Sequence, residues 1–234
     1  MNKAITLCGV AIFLCACSST HNSTASIQGL SPAQAEKMSG ENAQIKEVKS
    51  TPVTANTRFA LGQLAESQGH FSNAIHQYNC ALRLDPKHLP SLCRLGVVYA
   101  ELKDYDTSIE VWKRYIAASG DAGFAYGNLG YCYELAGYPS LAKATYLKGI
   151  EKDPKNAPCR TNYGIMLARQ GKIADAIRMW DDVLTEAEVH YNLASVYQVA
   201  GRKIEAKGEY QKALACDPTL IDAKARLAEL DPNE

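Results

Sequence analysis

The chain has 234 residues, 47% of them hydrophobic and 21% charged, with 25 basic residues set against 25 acidic ones. That composition fits one ordinary globular domain with some additional chain and excludes a protein disordered throughout. A formal net charge of zero argues against a partner gripped through its phosphate backbone, so no nucleic acid is expected.

Taken from the N-terminus, Lys3 precedes an unbroken apolar or small-residue run from Ala4 to Ala16, the layout of a secretory signal. The run is too short to span a bilayer, which takes ~20 residues. Its end, Leu14-Cys15-Ala16-Cys17, resembles a bacterial lipobox, although cysteine is unusual at the position of Cys15. The resemblance implies cleavage after residue 16, with lipid on Cys17 as the new N-terminus, so that the membrane is held by acyl chains at ~0.8 kcal/mol per buried CH₂. An ordinary cleaved signal with an incidental cysteine is the other reading. Ser18 and Ser19 follow with no aspartate, and in Gram-negative lipoproteins this resembles an address for the periplasmic face of the outer membrane.

Residues 17–54 then read as a flexible tether, since Ser18 to Ala55 contains no Phe, Trp or Tyr and cannot bury enough apolar surface to order itself. As a random coil of that length it would separate lipid and domain by roughly 35 Å. One short helix is expected over Pro32–Lys37, where Ser31, Pro32 and Gln34 give a capped start.

From residue 55 onward the chain repeats. Gly62, Gly96, Gly130 and Gly164 stand 34 residues apart, and Tyr78, Trp112, Tyr146 and Trp180 keep the same interval. The fullest copy starts at Gly123; it places Tyr126, Leu129, Gly130 and Tyr133 on a first helix, Gly137 at the turn, Ala142, Tyr146 and Gly149 on a second, and Pro154 after it. Each has a mechanical reason: Gly130 and Ala142 are holes for the large residues of the facing helix, Gly137 suits the left-handed end of the first helix, and Asp153-Pro154 stops the second. These residues resemble the tetratricopeptide repeat (TPR), whose pattern is W-x2-L-G-x2-Y followed by A, F and P.

The resemblance implies an all-α TPR solenoid, a right-handed superhelix of about five antiparallel helix pairs plus a C-terminal capping helix. The five units fall at 55–88, 89–122, 123–156, 157–186 and 187–220, and the capping helix and tail at 221–234. Copy four is short, since its glycine at 164 is followed only 30 residues later by Ala194. There Thr185 and Glu188 form a Thr-x-x-Glu box, predicted to stop the preceding helix near Leu184 and to start the next. After Pro218, Leu220, Ala223, Leu227 and Leu230 share one face of the capping helix.

The pattern offers little chemistry. The five histidines at 21, 70, 76, 88 and 190 make no H-x3-H or H-E-x-x-H pair, and there is no C-x-x-C, so no metal, no cofactor and no small-molecule substrate are expected. The glycines fall at repeat positions rather than in a phosphate loop or nucleophile elbow, and the protein is read as a non-enzyme. Cysteines 80, 93, 132, 159 and 216 are scattered over the repeat frame; most are read as small buried residues, and a Cys80–Cys93 disulfide stays open.

Function must then lie on the surface made by stacking. In TPR proteins the first helices line a concave groove, and this carries over to Phe59, Gln63, Arg94, Val97, Asn128, Tyr131, Asn162, Ile165, Arg169, Tyr191, Asn192 and Gln198. Aromatics mixed with amides suit a protein or peptide segment. Asn128, Asn162 and Asn192 occupy equivalent positions; they either grip a ligand or bridge neighbouring helices, and both readings stay open. The groove lacks the lysines of a carboxylate clamp. Lipobox and repeats together resemble the pilotin-type lipoproteins that help to assemble type IV or tight-adherence pili and secretion channels, which implies an adaptor for pilus or secretion assembly. A scaffold for peptidoglycan enzymes is the alternative.

Overall fold

Two-helix hairpins follow one another from Ala55 onward. The first helices of the pairs are α1 (Ala55–Ser67), α3 (Leu89–Glu101), α5 (Gly123–Leu135), α7 (Ala157–Arg169) and α9 (Glu186–Val199). Their partners are α2 (Phe71–Leu84), α4 (Tyr105–Ser119), α6 (Pro139–Lys152), α8 (Ile173–Trp180) and α10 (Lys203–Cys216), and α11 (Ile221–Leu230) ends the row. This computed structural model describes residues 52–120 and 122–230, together with the backbone of two short strands, β1 (Ile5–Leu7) and β2 (Val10–Ile12), paired antiparallel with Ile5 opposite Ile12. Cys17, the tether and the helix expected at Pro32–Lys37 lie outside the described residues. No helix among the described residues is long and apolar enough to cross a membrane.

Each hairpin is held by one large aromatic pressed onto a small residue. Tyr78, Trp112, Tyr146, Trp180 and Tyr210 are completely buried, and each crosses its partner helix at Gly62, Gly96, Gly130, Gly164 or Ala194. A Cβ added at Gly96 would come within 2.6 Å of the Trp112 ring, and one at Gly130 within 2.5 Å of the Tyr146 ring. Close packing of this kind leaves no slack for an extra methylene.

The polar end of the aromatic selects its environment in the same way. Where the aromatic is tyrosine, its hydroxyl donates to a residue twelve positions earlier: Tyr78 to Glu66 at 2.5 Å, Tyr146 to Glu134 at 3.3 Å and Tyr210 to Gln198 at 2.7 Å. Where it is tryptophan, that earlier position holds Ala100 or Ala168, and Trp180 instead donates to the Thr161 carbonyl at 3.1 Å. A buried phenol and a buried indole each call for an acceptor, and Trp112 Nε1 has none among the described residues.

The turns between paired helices require a left-handed residue. Gly69, Gly137, Gly171 and Gly201 supply it with φ of 76°, 83°, 78° and 74°, but the second repeat uses Lys103 at φ 63°. An L side chain is strained there, so Lys103→Gly is expected to raise stability by ~0.5–1 kcal/mol after the entropy of the freer unfolded chain is subtracted. Urea denaturation checks this, and an unchanged or lower midpoint would mean that the turn is not strained.

The fourth repeat departs from the frame. Helix α8 ends at Trp180, four residues before the expected stop near Leu184, because Asp182 at φ 67° turns the chain away first. Arg160 of α7 closes the exposed end, donating to the carbonyls of Arg178, Met179 and Asp181 at 2.9, 2.6 and 2.8 Å. A guanidinium suits that site, since helix C-termini carry unpaired carbonyls and partial negative charge. Thr185 and Glu188 then form a reciprocal capping box that starts α9. The main hydrophobic core runs through the first four repeats and into α9 as far as Val196, whereas Ala194, Ala206, Tyr210 and Ala223 form a second cluster of the last hairpin and α11. Leu220, Leu227 and Leu230 pack against that second cluster.

Candidate functional site

The first helices lie side by side closely enough to hide most of the side chains expected to line the groove. A Cβ on Gly127 of α5 would sit 2.8 Å from Pro158 of α7, so the two backbones approach without an intervening side chain. Asn162 uses that proximity, donating through Nδ2 to the Gly127 carbonyl at 3.4 Å. Asn128 is fully buried, and Tyr131, Asn162, Asn192, Val97 and Ile165 are each 2% exposed. The expectation that Tyr131 and the three asparagines stand open on a contact wall is therefore corrected: close contact between neighbouring first helices covers them. For Asn162 the bridging role is the one observed.

The remaining candidates divide. Phe59 is half-buried, its ring 5.6 Å from both Tyr78 and His88. Arg94 pairs with Glu66, joining the second repeat to the first. Tyr191 packs edge-on against Tyr210 at 5.7 Å, and Asp222 and Arg226 of α11 influence its hydroxyl, so the capping helix covers part of it. Gln63 stays exposed, and Gln198 is taken by Tyr210. Cys80 and Cys93 are not joined by a disulfide; Arg83 donates to the Cys80 sulfur at 2.7 Å.

Tyr131 and Asn162 nevertheless line a small pit with Glu134, Ile165 and Arg169 between the third and fourth repeats. Arg169 reaches across it to Glu134, an ion pair that the sequence reading did not find. Burial pushes the Glu134 carboxyl up against the opposing pull of Arg169 and of the Tyr146 hydroxyl. Burial also raises the Tyr131 hydroxyl well above its ordinary range. Among the described residues the Tyr131 hydroxyl, Asn162 Oδ1 and both amide atoms of Asn128 have no hydrogen-bond partner. Leaving such groups buried and unpaired costs ~1–3 kcal/mol each. Four such atoms lie on two neighbouring helices, and Trp112 Nε1 in the second hairpin is a fifth.

The thiols nearby offer no nucleophile at neutral pH. Burial pushes Cys132 up to about 11 and Cys159 up to about 12, and a thiol rather than a thiolate is inert.

Comparison with known proteins follows the same geometry. Family models described as tetratricopeptide repeat match residues 59–123, 125–156, 145–178 and 187–220. Among curated proteins, the general transcriptional corepressor ssn6 of Schizosaccharomyces pombe is 24% identical over 152 residues, 64% of this chain and 14% of its own length. Tetratricopeptide repeat protein 8 of Caenorhabditis elegans is 26% identical over 169 residues, 69% of this chain and 33% of its own. The chain thus spans a third or less of the length of these curated relatives. Among solved structures, a TPR protein of Thermus thermophilus has a TM-score of 0.60 at 21% identity, covering 76% of this chain and 98% of its own. PilW, described as a widely conserved type IV pilus biogenesis factor, has a TM-score of 0.57 at 20% identity, covering 79% and 88%. At these identities the likeness is one of fold.

Proposed function

The chain is a tetratricopeptide-repeat protein, and from that premise we propose that it is a non-enzymatic adaptor, anchored by lipid on Cys17 to the periplasmic face of the outer membrane, that grips a segment of a partner protein. The observation that carries this reading is the row of unpaired polar atoms on Asn128, Tyr131 and Asn162, at equivalent faces of two neighbouring first helices. A partner's backbone has donors and acceptors at the spacing of its residues and can pair with such atoms once α5 and α7 part enough to uncover them, since the closed wall keeps them out of reach. Arg169, on the exposed rim of the pit and paired with Glu134, has to release that carboxylate for a segment to enter. A pilus biogenesis factor shares the fold, which supports a role in pilus or secretion assembly.

The test pairs Asn128→Leu with Tyr131→Phe, which remove three of the four unpaired atoms and nearly keep the volume. Capture of partners from a periplasmic extract is expected to fall at least tenfold while helicity by circular dichroism stays unchanged; equal capture would eliminate this wall as the binding surface. The anchor is tested separately: Cys17→Ala is expected to abolish incorporation of a palmitate analogue, and undiminished labelling would remove it from the proposal.

A further inference from the structure

The last hairpin brings together three side chains that the sequence keeps apart. Glu186 and His190 lie one turn apart on α9 and so share a face, and Cys216 is the final residue of the antiparallel α10, whose end meets the start of α9. One ligand-capable atom from each of Glu186, His190 and Cys216 lies within 4.8 Å of the others. We propose that these three residues form a binding site for a zinc-class divalent transition metal, with the fourth coordination position open to water or to a partner's side chain.

The arrangement around His190 carries the inference beyond mere proximity. Its Nδ1 lies 2.6 Å from Glu209 Oε2, and Glu209 is in turn held by Lys212 Nζ at 2.8 Å. Donation of Nδ1–H to that carboxylate fixes the tautomer and leaves the lone pair on Nε2, which lies 4.0 Å from Glu186 Oε1. A carboxylate behind an imidazole that faces other ligands is the usual support for a metal-binding histidine.

Donor chemistry selects the ion. Thiolate and imidazole favour zinc and its neighbours over magnesium or calcium, which take oxygen ligands. Zinc bonds of ~2.0–2.3 Å set the ligand atoms of a tetrahedral site about 3.5 Å apart. Glu186 and Cys216 are exposed, so rotation of their side chains closes the remaining distance without moving a helix. The metal would tie the start of α9 to the end of α10 within the last hairpin.

The experiment titrates the reduced full-length chain with Zn²⁺ against a fluorescent chelator, and with Co²⁺ followed by absorption. Expected are one Zn²⁺ per chain at micromolar or lower concentration and a thiolate-to-cobalt charge-transfer band in the near ultraviolet. Cys216→Ser should abolish the band, and Cys216→Ser and His190→Gln should each weaken Zn²⁺ binding at least tenfold. Glu209→Gln, which changes a positioning residue, should weaken binding by roughly 10–100-fold with the cobalt band retained. Cys80→Ser is the control, because His76 lies 3.5 Å from that sulfur and makes it the rival thiol–imidazole pair; it should leave binding unchanged. Binding that survives Cys216→Ser, binding lost in Cys80→Ser, or no stoichiometric uptake at micromolar Zn²⁺ would each overturn the proposal.

Discussion

Gly130→Leu is expected to destabilise the protein by about 3 kcal/mol, the upper part of the range for overpacked cores. The reason is that even the first carbon of a new side chain would lie 2.5 Å from Tyr146 Cε1, and the Tyr146 ring has nowhere to retreat. Gly130→Ala is a closer contest, since alanine gains ~1 kcal/mol of helix propensity over glycine. The fifth repeat already places Ala194 beneath Tyr210, so a small backbone shift accommodates one methyl group but not an isobutyl group. Thermal or urea denaturation of the two variants should therefore give a large loss for leucine and a small change of either sign for alanine. A further variant, Tyr146→Leu in the Gly130→Leu background, should recover part of the loss, because the clash is pairwise. Leucine tolerated without loss would mean that the crossing of α5 and α6 is looser than described.

The repeat was legible because sterics alone dictate it. A helix pair that crosses at short range needs a hole opposite each large side chain, and the 34-residue interval of Gly62, Gly96, Gly130 and Gly164 against Tyr78, Trp112, Tyr146 and Trp180 records that need in residue identity. The spacing of twelve that links Glu66 to Tyr78, Glu134 to Tyr146 and Gln198 to Tyr210 was equally present, with Ala100 and Ala168 opposite the tryptophans, and only the pairing rule was missing. The early end of α8 was not legible. It depends on Asp182 adopting a left-handed conformation and on Arg160 reaching the α8 carbonyls from a residue 18 or more positions away, neither of which leaves a local signal.

The groove was misjudged for a related reason. The repeat frame tells which positions of a first helix turn away from its own partner, but not how close the next first helix comes. That distance is set by Gly127 against Pro158, a contact between two repeats that appears at a position where other copies carry Phe59, Cys93 or Tyr191. Positions expected to be open are therefore closed around the third and fourth repeats, while the wall retains unpaired polar atoms.

Tyr131 separates the energetic role of its ring from the role of its hydroxyl. Tyr131→Ala is expected to cost ~3–4 kcal/mol of stability, since the ring is 2% exposed and its removal leaves a cavity between α5 and α7. Tyr131→Phe should instead be neutral or stabilising by ~1 kcal/mol, because the hydroxyl it deletes is buried with no partner among the described residues. An ordinary core tyrosine, with its hydroxyl satisfied, would lose stability on that change. The two variants measured together by urea denaturation decide the matter: a loss above ~1 kcal/mol for phenylalanine would show that the hydroxyl is bonded in solution and would remove the unpaired wall from the binding argument. If phenylalanine is the more stable protein and yet captures less partner, the hydroxyl is retained at a cost to the fold for the sake of the segment it binds, and the site on α5 and α7 is the one that the partner completes.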